Sequence, residues 1–359
     1  MYKVFIISPH FAPSALPPSQ RVRLMVKHTK NLGFETTVFT TESKFREEKN
    51  DDWLTQLAGN DFELITLKSL PQKITRKFKI GDLGLRFIPF LFFRLIKECS
   101  QQKPDFIIYP VPPWYLLIIA PIIKKITGVK YAIDFIDPWV EVSDFYSSKL
   151  KKENNQLTFN YIGAVWPAAF PVVSEVLNAF KTISETNQIQ VNFIGTSYAG
   201  EGLAKPSLTN FIHHFNLSNI ITEDPNRVTY KKAVELTNSA DVLFLFGDLS
   251  KQYAASKLMG LVASQQPFFA FLHKDSFPYQ FLKSVNYKYL VGYSDEIIEH
   301  PNQKKDNLVV LIQMLISNLD SFIPISLENE KFKVHTAYGM TKNILNPIKE
   351  IIENDKSLR

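Results

Sequence analysis

SADVLFLF (239–246) and SKLMGLVASQQPFFA (256–270) are the two stretches that decide how this chain is read. The first is an apolar run behind Asp241 and reads as a buried strand over Asp241–Phe246. The second opens on Ser256-Lys257, carries a short apolar helix over 256–264, and passes through Gln265-Gln266 into another apolar run, Pro267–Leu272. Strand, loop, helix and strand in that order form one unit of a parallel sheet.

The same rhythm extends in both directions. Upstream, strands are predicted at 157–162 and 190–194, with helices near 171–185, 206–216 and 231–239. Downstream, helices are predicted at 307–319 and over Thr336–Asn354. In the first half, strands are read at Lys3–Ser8, Phe34–Thr40, Phe62–Leu67, Asp105–Tyr109 and Val129–Asp134. Helices fall between them: one from Ser19 (N-cap) to Leu32 with Gly33 closing it, one over 88–99 with Pro89 in its first turn, and an apolar one over Tyr115–Thr127. The polar segment SSKLKKENNQ (147–156) is the best linker. The chain of 359 residues is long enough for two domains at roughly 150 residues each. The expectation is an α/β protein of two doubly wound domains facing across a cleft: 1–150, 151–335, and a final helix, 336–359, packing back towards the first domain. Ligands in such sheets sit outside the carboxyl ends of the strands.

Composition removes several classes. Hydrophobic residues make up 45% and charged residues 21%, so the chain is globular rather than disordered. The single cysteine, Cys99, excludes an intrachain disulfide and a thiolate metal cluster, and fits a reducing compartment. The histidines have no metal-ligand spacing, and no Asp-x-Asp metal site stands out. With neither a GxGxxG nor a Walker A loop, a dinucleotide oxidoreductase and a P-loop NTPase are disfavoured. The opening MYKVFIISPH reads as a first strand rather than a signal peptide. The longest apolar stretches, 87–93 and 115–123, fall far short of the ~20 residues that span a bilayer. A soluble or peripheral protein is expected.

Charge is concentrated. Lys68, Lys73, Arg76, Lys77, Lys79, Arg86, Arg94 and Lys97 stand against one acid, Asp82, giving this segment +7 where the whole chain carries +6. On a helix from Ile88, the residues Phe90, Phe93, Arg94 and Lys97 share one face, and Ile88, Phe92, Leu95 and Ile96 share another. The second stripe is expected in the core. The first mixes phenyl rings with cations and, with Lys77, suits an anionic membrane interface; the alternative is a helix buried on two sides whose cations snorkel out. No recognised nucleic-acid-binding motif accompanies the patch, so no nucleic-acid partner is expected.

Two loops offer chemistry. Asp134 and Asp137 lie three apart at a strand end, where a carboxylate can deprotonate an acceptor hydroxyl; Asp137-Pro138 can equally start a turn. His10, in the proline-rich loop after the first strand, is a rival base. Arg21 and Arg23 open the first long helix, suited to a phosphate or carboxylate, or simply solvated on an amphipathic helix.

In order along the chain, these pieces resemble the GT-B glycosyltransferases, specifically the family-4-like branch. The 239–270 stretch is similar to that family's "ADVLLL" strand and "KLFEYLAAGKPILA" helix, with Lys257 at the family lysine and Pro267 at the proline opening the next strand. Tyr161-Ile-Gly-Ala-Val resembles the strand and turn that open the donor domain. Lys103-Pro-Asp-Phe-Ile-Ile-Tyr-Pro-Val-Pro-Pro and Asp134-Phe-Ile-Asp-Pro-Trp resemble "PDVIxxSxPP" and "DxRDPW". The sequence departs from the pattern at Gly260, where the family has a glutamate; at Ile136, where it has an arginine; in the Ala-Val-Trp-Pro turn after Gly163, where it has a cation; and in the short 139–161 segment.

The resemblance implies two Rossmann-like domains in the GT-B arrangement and metal-independent transfer of a hexose from a nucleotide-sugar, with no cofactor. Donor-binding residues would be Lys257, Ser256, Gly163 and Gly195, Lys257 stabilising the leaving diphosphate; by itself Lys257 reads equally as a solvated lysine at a helix start. Asp137 and His10 would be catalytic, and Arg21, Arg23 and Asp134 would face the acceptor. The acceptor would be a glycan or a lipid-linked glycan of cell-surface polysaccharide synthesis, met at the cytoplasmic face of the membrane. Two alternatives stand beside this: a non-catalytic relative serving as a partner or scaffold to another protein, and a sugar-nucleotide epimerase.

Overall fold

The computed structural model describes residues 1–47, 50–78, 80–135, 156–197, 199, 202–253, 257–299 and 304–357. The chain divides into two compact units, one formed by Met1–Trp139 with Val334–Arg359 and one by Val140–Lys333. The linker expected at 147–156 lies, but for Gln156, outside the described residues.

The first unit carries β1 (Tyr2–Ile7), β2 (Phe34–Thr41), β3 (Glu63–Leu67), β4 (Phe106–Val111) and β5 (Lys130–Phe135), all parallel, in the order β3-β2-β1-β4-β5. The second carries β6 (Leu157–Ile162), β7 (Ile189–Ile194), β8 (Ile221–Asp224), β9 (Val242–Phe246), β10 (Phe268–His273) and β11 (Leu290–Tyr293), also parallel, in the order β11-β10-β9-β6-β7-β8. In each sheet the first strand lies inside, and the chain builds outward on both of its sides. The α/β class and doubly wound architecture are as the sequence indicates. The edge strands β8 and β11 escape the sequence reading because they are four residues each and carry polar or half-exposed side chains.

Continuous apolar runs mark strands covered on both faces. β4, β9 and β10 are buried at every position. Side chains alternate between the faces of a strand. Phe244 and Phe246 of β9 therefore join Phe269 and Phe271 of β10 and Tyr161 of β6 in one core, while Leu243, Leu245, Phe268, Ala270 and Leu272 join the other. Much of the chain's phenylalanine is used here: Phe244 stacks on Phe269 at 5.5 Å and Tyr161 on Phe246 at 4.3 Å between ring centres. Offset aromatic pairs of this kind add roughly 0.5–1.5 kcal/mol beyond their burial.

Three helices differ from their sequence reading. The first runs over Pro17–Thr29, using Pro17 and Pro18 as its first residues; Ser19 is buried inside the first turn instead of capping it. Gly33 does close the following turn, in the left-handed region at φ +90°. The second helix spans Leu83–Gln102 rather than 88–99, because the Asp82 carboxylate accepts from Leu85 N at 2.8 Å and starts it early. Pro89 thus lies in the helix interior. The buried stripe becomes Leu83, Phe87, Leu91, Leu95 and Cys99, at helical i,i+4 spacing, while Ile88, Phe92 and Ile96 are half-buried. Gly84 sits where a Cβ would lie 2.6 Å from Pro113, so its absence admits the Pro112-Pro113 loop.

The third, the apolar stretch 115–127, is a 3₁₀ turn (Trp114–Ile118) followed by the short helix Ala120–Thr127. Leu116, Ile119, Ala120 and Ile123 enter the core, but Trp114, Tyr115, Ile118, Ile122 and Ile126 are exposed. The final helix, Ala337–Ser357, belongs to the first unit and packs on Pro17–Thr29. Its end is tied to the sheet by Tyr2 Oη donating to Glu353 at 2.8 Å and by the Lys130–Asp355 ion pair at 2.6 Å.

Candidate functional site

In the second unit the order of the sheet reverses at β6, which lies between β7 and β9. The loops leaving the carboxyl ends of β6 and β9 diverge there, which is where doubly wound sheets bind ligands. β6 ends in the turn at Gly163, whose N–H donates to Ile194 O at 2.7 Å, and whose φ of +142° is open to glycine. The loop after β9 returns at Lys257, immediately before the helix Leu258–Ser264. A Cβ placed on Gly163 would lie 2.0 Å from both Cε and Nζ of Lys257. Two residues that the sequence assigns to donor binding, 94 positions apart, are therefore packed against each other.

Lys257 is half-buried and, among the described residues, has no ion-pair partner. Its Nζ donates to Tyr161 Oη at 2.8 Å and lies 4.2 Å from the Tyr161 ring centre. Burial without a countercharge pulls its pKa down to about 7. Gly195 ends the neighbouring strand β7 at φ +72°; its N–H donates to Asp224 O and it faces the Asn226–Arg227 backbone. Ser256 lies outside the described residues.

Around the same sheet edge, His273 at the end of β10 is buried. Its Nδ1 accepts from Asp275 N at 3.1 Å and its Nε2 faces Asp295 Oδ1 at 3.3 Å. Lys251 in the loop after β9 pairs with Asp295 at 3.0 Å and holds that carboxylate below its ordinary range. Tyr293 Oη donates to Asp248 O at 2.7 Å. Sequence reasoning missed these groups and the role of Tyr161. Each ends a strand or starts a loop, and only the register of the sheet brings them together. The available signal was the place of Tyr161, two residues before a glycine at a strand end.

In the first unit, Arg21 and Asp134 are brought together, as a buried pair rather than as two open charges. Arg21 Nε donates to Asp134 Oδ2 at 2.5 Å and Nη2 to Oδ1, a fork on one carboxylate joining the Pro17–Thr29 helix to the end of β5. Arg23 is also buried, at 1% exposure, with Nε donating to Gln20 Oε1 at 2.9 Å. The reading of these arginines as solvated charges is thus corrected: the helix lies against the sheet on that side. His10 is half-buried in a loop whose Pro9 carbonyl accepts from Thr40 and Thr41. Asp137 lies outside the described residues.

The basic segment is less open than its sequence suggests. Arg86 is buried and pairs with Glu47 at 2.9 Å, Arg76 pairs with the same carboxylate at 3.0 Å, and Arg94 pairs with Glu98 at 2.6 Å. Glu47 and Glu98 lie outside the 68–97 window or on the buried side of the helix, so a local charge count did not show the pairing. Phe90, Phe93, Lys97 and Lys77 are exposed, Phe93 at 74%.

Solved structures of the same architecture cover nearly the whole chain. A glycosyltransferase from Rickettsia africae is 11% identical with a TM-score of 0.64, over 98% of this chain and 99% of that one. Sucrose-phosphate synthase from Thermosynechococcus elongatus is 10% identical at 0.57, over 99% and 100%. The lipopolysaccharide outer core galactosyltransferase WaaB is 12% identical at 0.56, over 98% and 99%. The fold is GT-B. No family model and no curated protein sequence matches the chain.

The buried fork gives the first prediction. Arg21→Met alone leaves the Asp134 carboxylate buried without its cation and should cost about 3–5 kcal/mol, whereas Arg21→Met with Asp134→Leu should recover most of it. Urea unfolding of the three proteins measures this. A double variant as unstable as the single one would show that the stranded carboxylate is not the source of the loss.

Proposed function

We propose that this chain is a glycosyltransferase that binds a nucleotide-sugar at the carboxyl edge of the second unit's sheet. Lys257 meets the diphosphate, and the acceptor is held by the first unit. The observation that carries this reading is the packing of Lys257 against Gly163 at the reversal of the sheet. A cation there can stabilise the departing diphosphate. Two of the similar structures are likewise sugar-transferring enzymes, one a glycosyltransferase and one a galactosyltransferase. His10 and Asp137 remain the candidate bases for the acceptor hydroxyl, since Asp134 is engaged by Arg21. Ser256 and Gly195 would join Lys257 at the donor, and Arg23 would stand with Arg21 on the acceptor side.

A second reading is a non-catalytic relative that keeps the fold and serves a protein partner. It is favoured by Gly260, which leaves the helix after Lys257 without the carboxylate the family carries. A thermal-shift panel with UDP, GDP, ADP, CMP and their sugar conjugates at millimolar concentration separates the two. A ligand at ~100 times its Kd stabilises by roughly 2.7 kcal/mol, a shift of several degrees. One nucleotide should give that shift, and Lys257→Ala should abolish it. No shift with any of them would favour the partner role.

We further propose that the acceptor is lipid-linked and that the protein docks on the cytoplasmic face of an anionic membrane. Among the described residues no helix is long and apolar enough to cross one. Phe90 and Phe93 are exposed on the Leu83–Gln102 helix, and Trp114, Ile118, Ile122 and Ile126 are exposed on the segment packed against it. The exposed cations nearby are Lys97, Lys124 and Lys125. Rings and aliphatic side chains flanked by lysines suit a lipid headgroup boundary. Cosedimentation should show binding to phosphatidylglycerol vesicles and little to phosphatidylcholine. Phe93→Asp with Ile118→Asp should cut the bound fraction about tenfold or more, given ~1.5–3 kcal/mol for each large apolar side chain buried. Equal binding to both vesicle types, or to neither, would contradict the docking surface.

A further inference from the structure

Tyr161 is held on several sides in the second unit. It is 2% exposed, stacks on Phe246, and packs against Phe193 and Phe244. Its hydroxyl proton goes to Ala164 O at 2.9 Å, so the oxygen it presents to Lys257 is an acceptor. Cε and Nζ of Lys257 fill the space that a side chain on Gly163 would take. Three residues thus make a fitted seat for a lysine amine: a fixed ring, a fixed phenolic oxygen and a bare turn.

Among the described residues the seat supplies no negative charge. From β6, Tyr161 is the titratable group that faces the amine. The turn 163–166 and the helix Leu258–Ser264 carry no charged residue. In the loop after β9, the Asp248 carboxylate turns back to Ser250 N at 2.8 Å, and Lys251 is paired with Asp295 and Asp275. His273, at the end of β10, is directed to the same Asp295. Among the described residues no carboxylate pairs with Lys257. A lysine amine seated on a neutral phenol, with no carboxylate beside it, is suited to gain its charge when an anion arrives.

We propose that Tyr161 is a positioning residue that holds the Lys257 amine in its seat, and that a phosphate-bearing ligand binds here with uptake of one proton by Lys257. This rests on the reading of Lys257 as the cation that meets the donor diphosphate. The step balances simply: solvent gives up a proton, the amine becomes an ammonium, and the ammonium exchanges the Tyr161 hydroxyl for a phosphate oxygen. Burial, which draws the free amine down to about pH 7, sets the range. Below it the lysine is already charged and binding needs no proton; above it each pH unit weakens binding about tenfold.

The test is calorimetric titration with UDP and with inorganic pyrophosphate, from pH 7 to 9, in buffers of different ionisation enthalpy. This lies above the second ionisation of a terminal phosphate, near 6, so a UDP signal reports the protein. The wild type should lose affinity about tenfold per unit and take up close to one proton at pH 8.5. Lys257→Arg, which stays charged throughout, should bind UDP with a flat profile and no uptake. Tyr161→Phe removes the oxygen that accepts from the ammonium and should move the wild-type profile to lower pH. A flat wild-type profile, or a slope that persists in Lys257→Arg, would overturn the proposal. Absence of binding at every pH would instead sink the functional reading. The ligand-free protein with ¹³C,¹⁵N-lysine still tests the proposal: a Lys257 Nζ titrating near 7 sustains it, and one titrating above 9.5 overturns it.

Discussion

In each sheet the first strand of the unit ends up inside, with the chain laid down first on one side of it and later on the other. Every parallel connection must cross a face of the sheet, so the loops leaving neighbouring strands part company beside that first strand. In the second unit this constraint brings the turn at Gly163 and the return at Lys257 to one place, although they are far apart in sequence. The aromatic layer beneath fixes the depth at which they meet. Tyr161, Phe244, Phe246 and Phe269 leave no freedom at the strand ends, and the lysine is seated on a ring whose own position is set by stacking.

The first unit answers the same constraint differently. At the carboxyl ends of its strands a buried guanidinium–carboxylate fork, Arg21 with Asp134, locks the first helix to the last strand. Such a fork is costly to break on one side and adds little over an apolar pair. Its service is geometric: it fixes the end of β5 against the first helix. What a sequence presents as two open charges is therefore a strut.

The legible parts of the sequence were those with strong local patterns. β9 and β10 are unbroken apolar runs, and buried strands of a parallel sheet have that signature. The αL glycine at 33 was also readable from local chemistry. Edge strands β8 and β11 were not, because four half-exposed residues carry no pattern. The start of the Leu83–Gln102 helix was misplaced because Pro89 invites a boundary, while the deciding cap, Asp82, lies about two turns earlier. The basic segment looked more cationic than it is, since Glu47 reaches Arg76 and Arg86 only through the fold. The 115–127 stretch read as a single apolar helix, yet it is a 3₁₀ turn and a short helix whose Ile118, Ile122 and Ile126 are exposed. Tyr161 read as one more aromatic in a strand; its hydroxyl becomes meaningful once the register of β6 against β9 puts Lys257 above it.

The most direct measurement is a crystal structure of the protein grown with the nucleoside diphosphate that stabilises it. The account predicts phosphate oxygens within about 2.7–3.2 Å of Lys257 Nζ, the amine drawn away from Tyr161 Oη, and the base lying along the carboxyl edge of the second unit's sheet. Phosphates bound elsewhere, with Lys257 still seated on Tyr161, would contradict it.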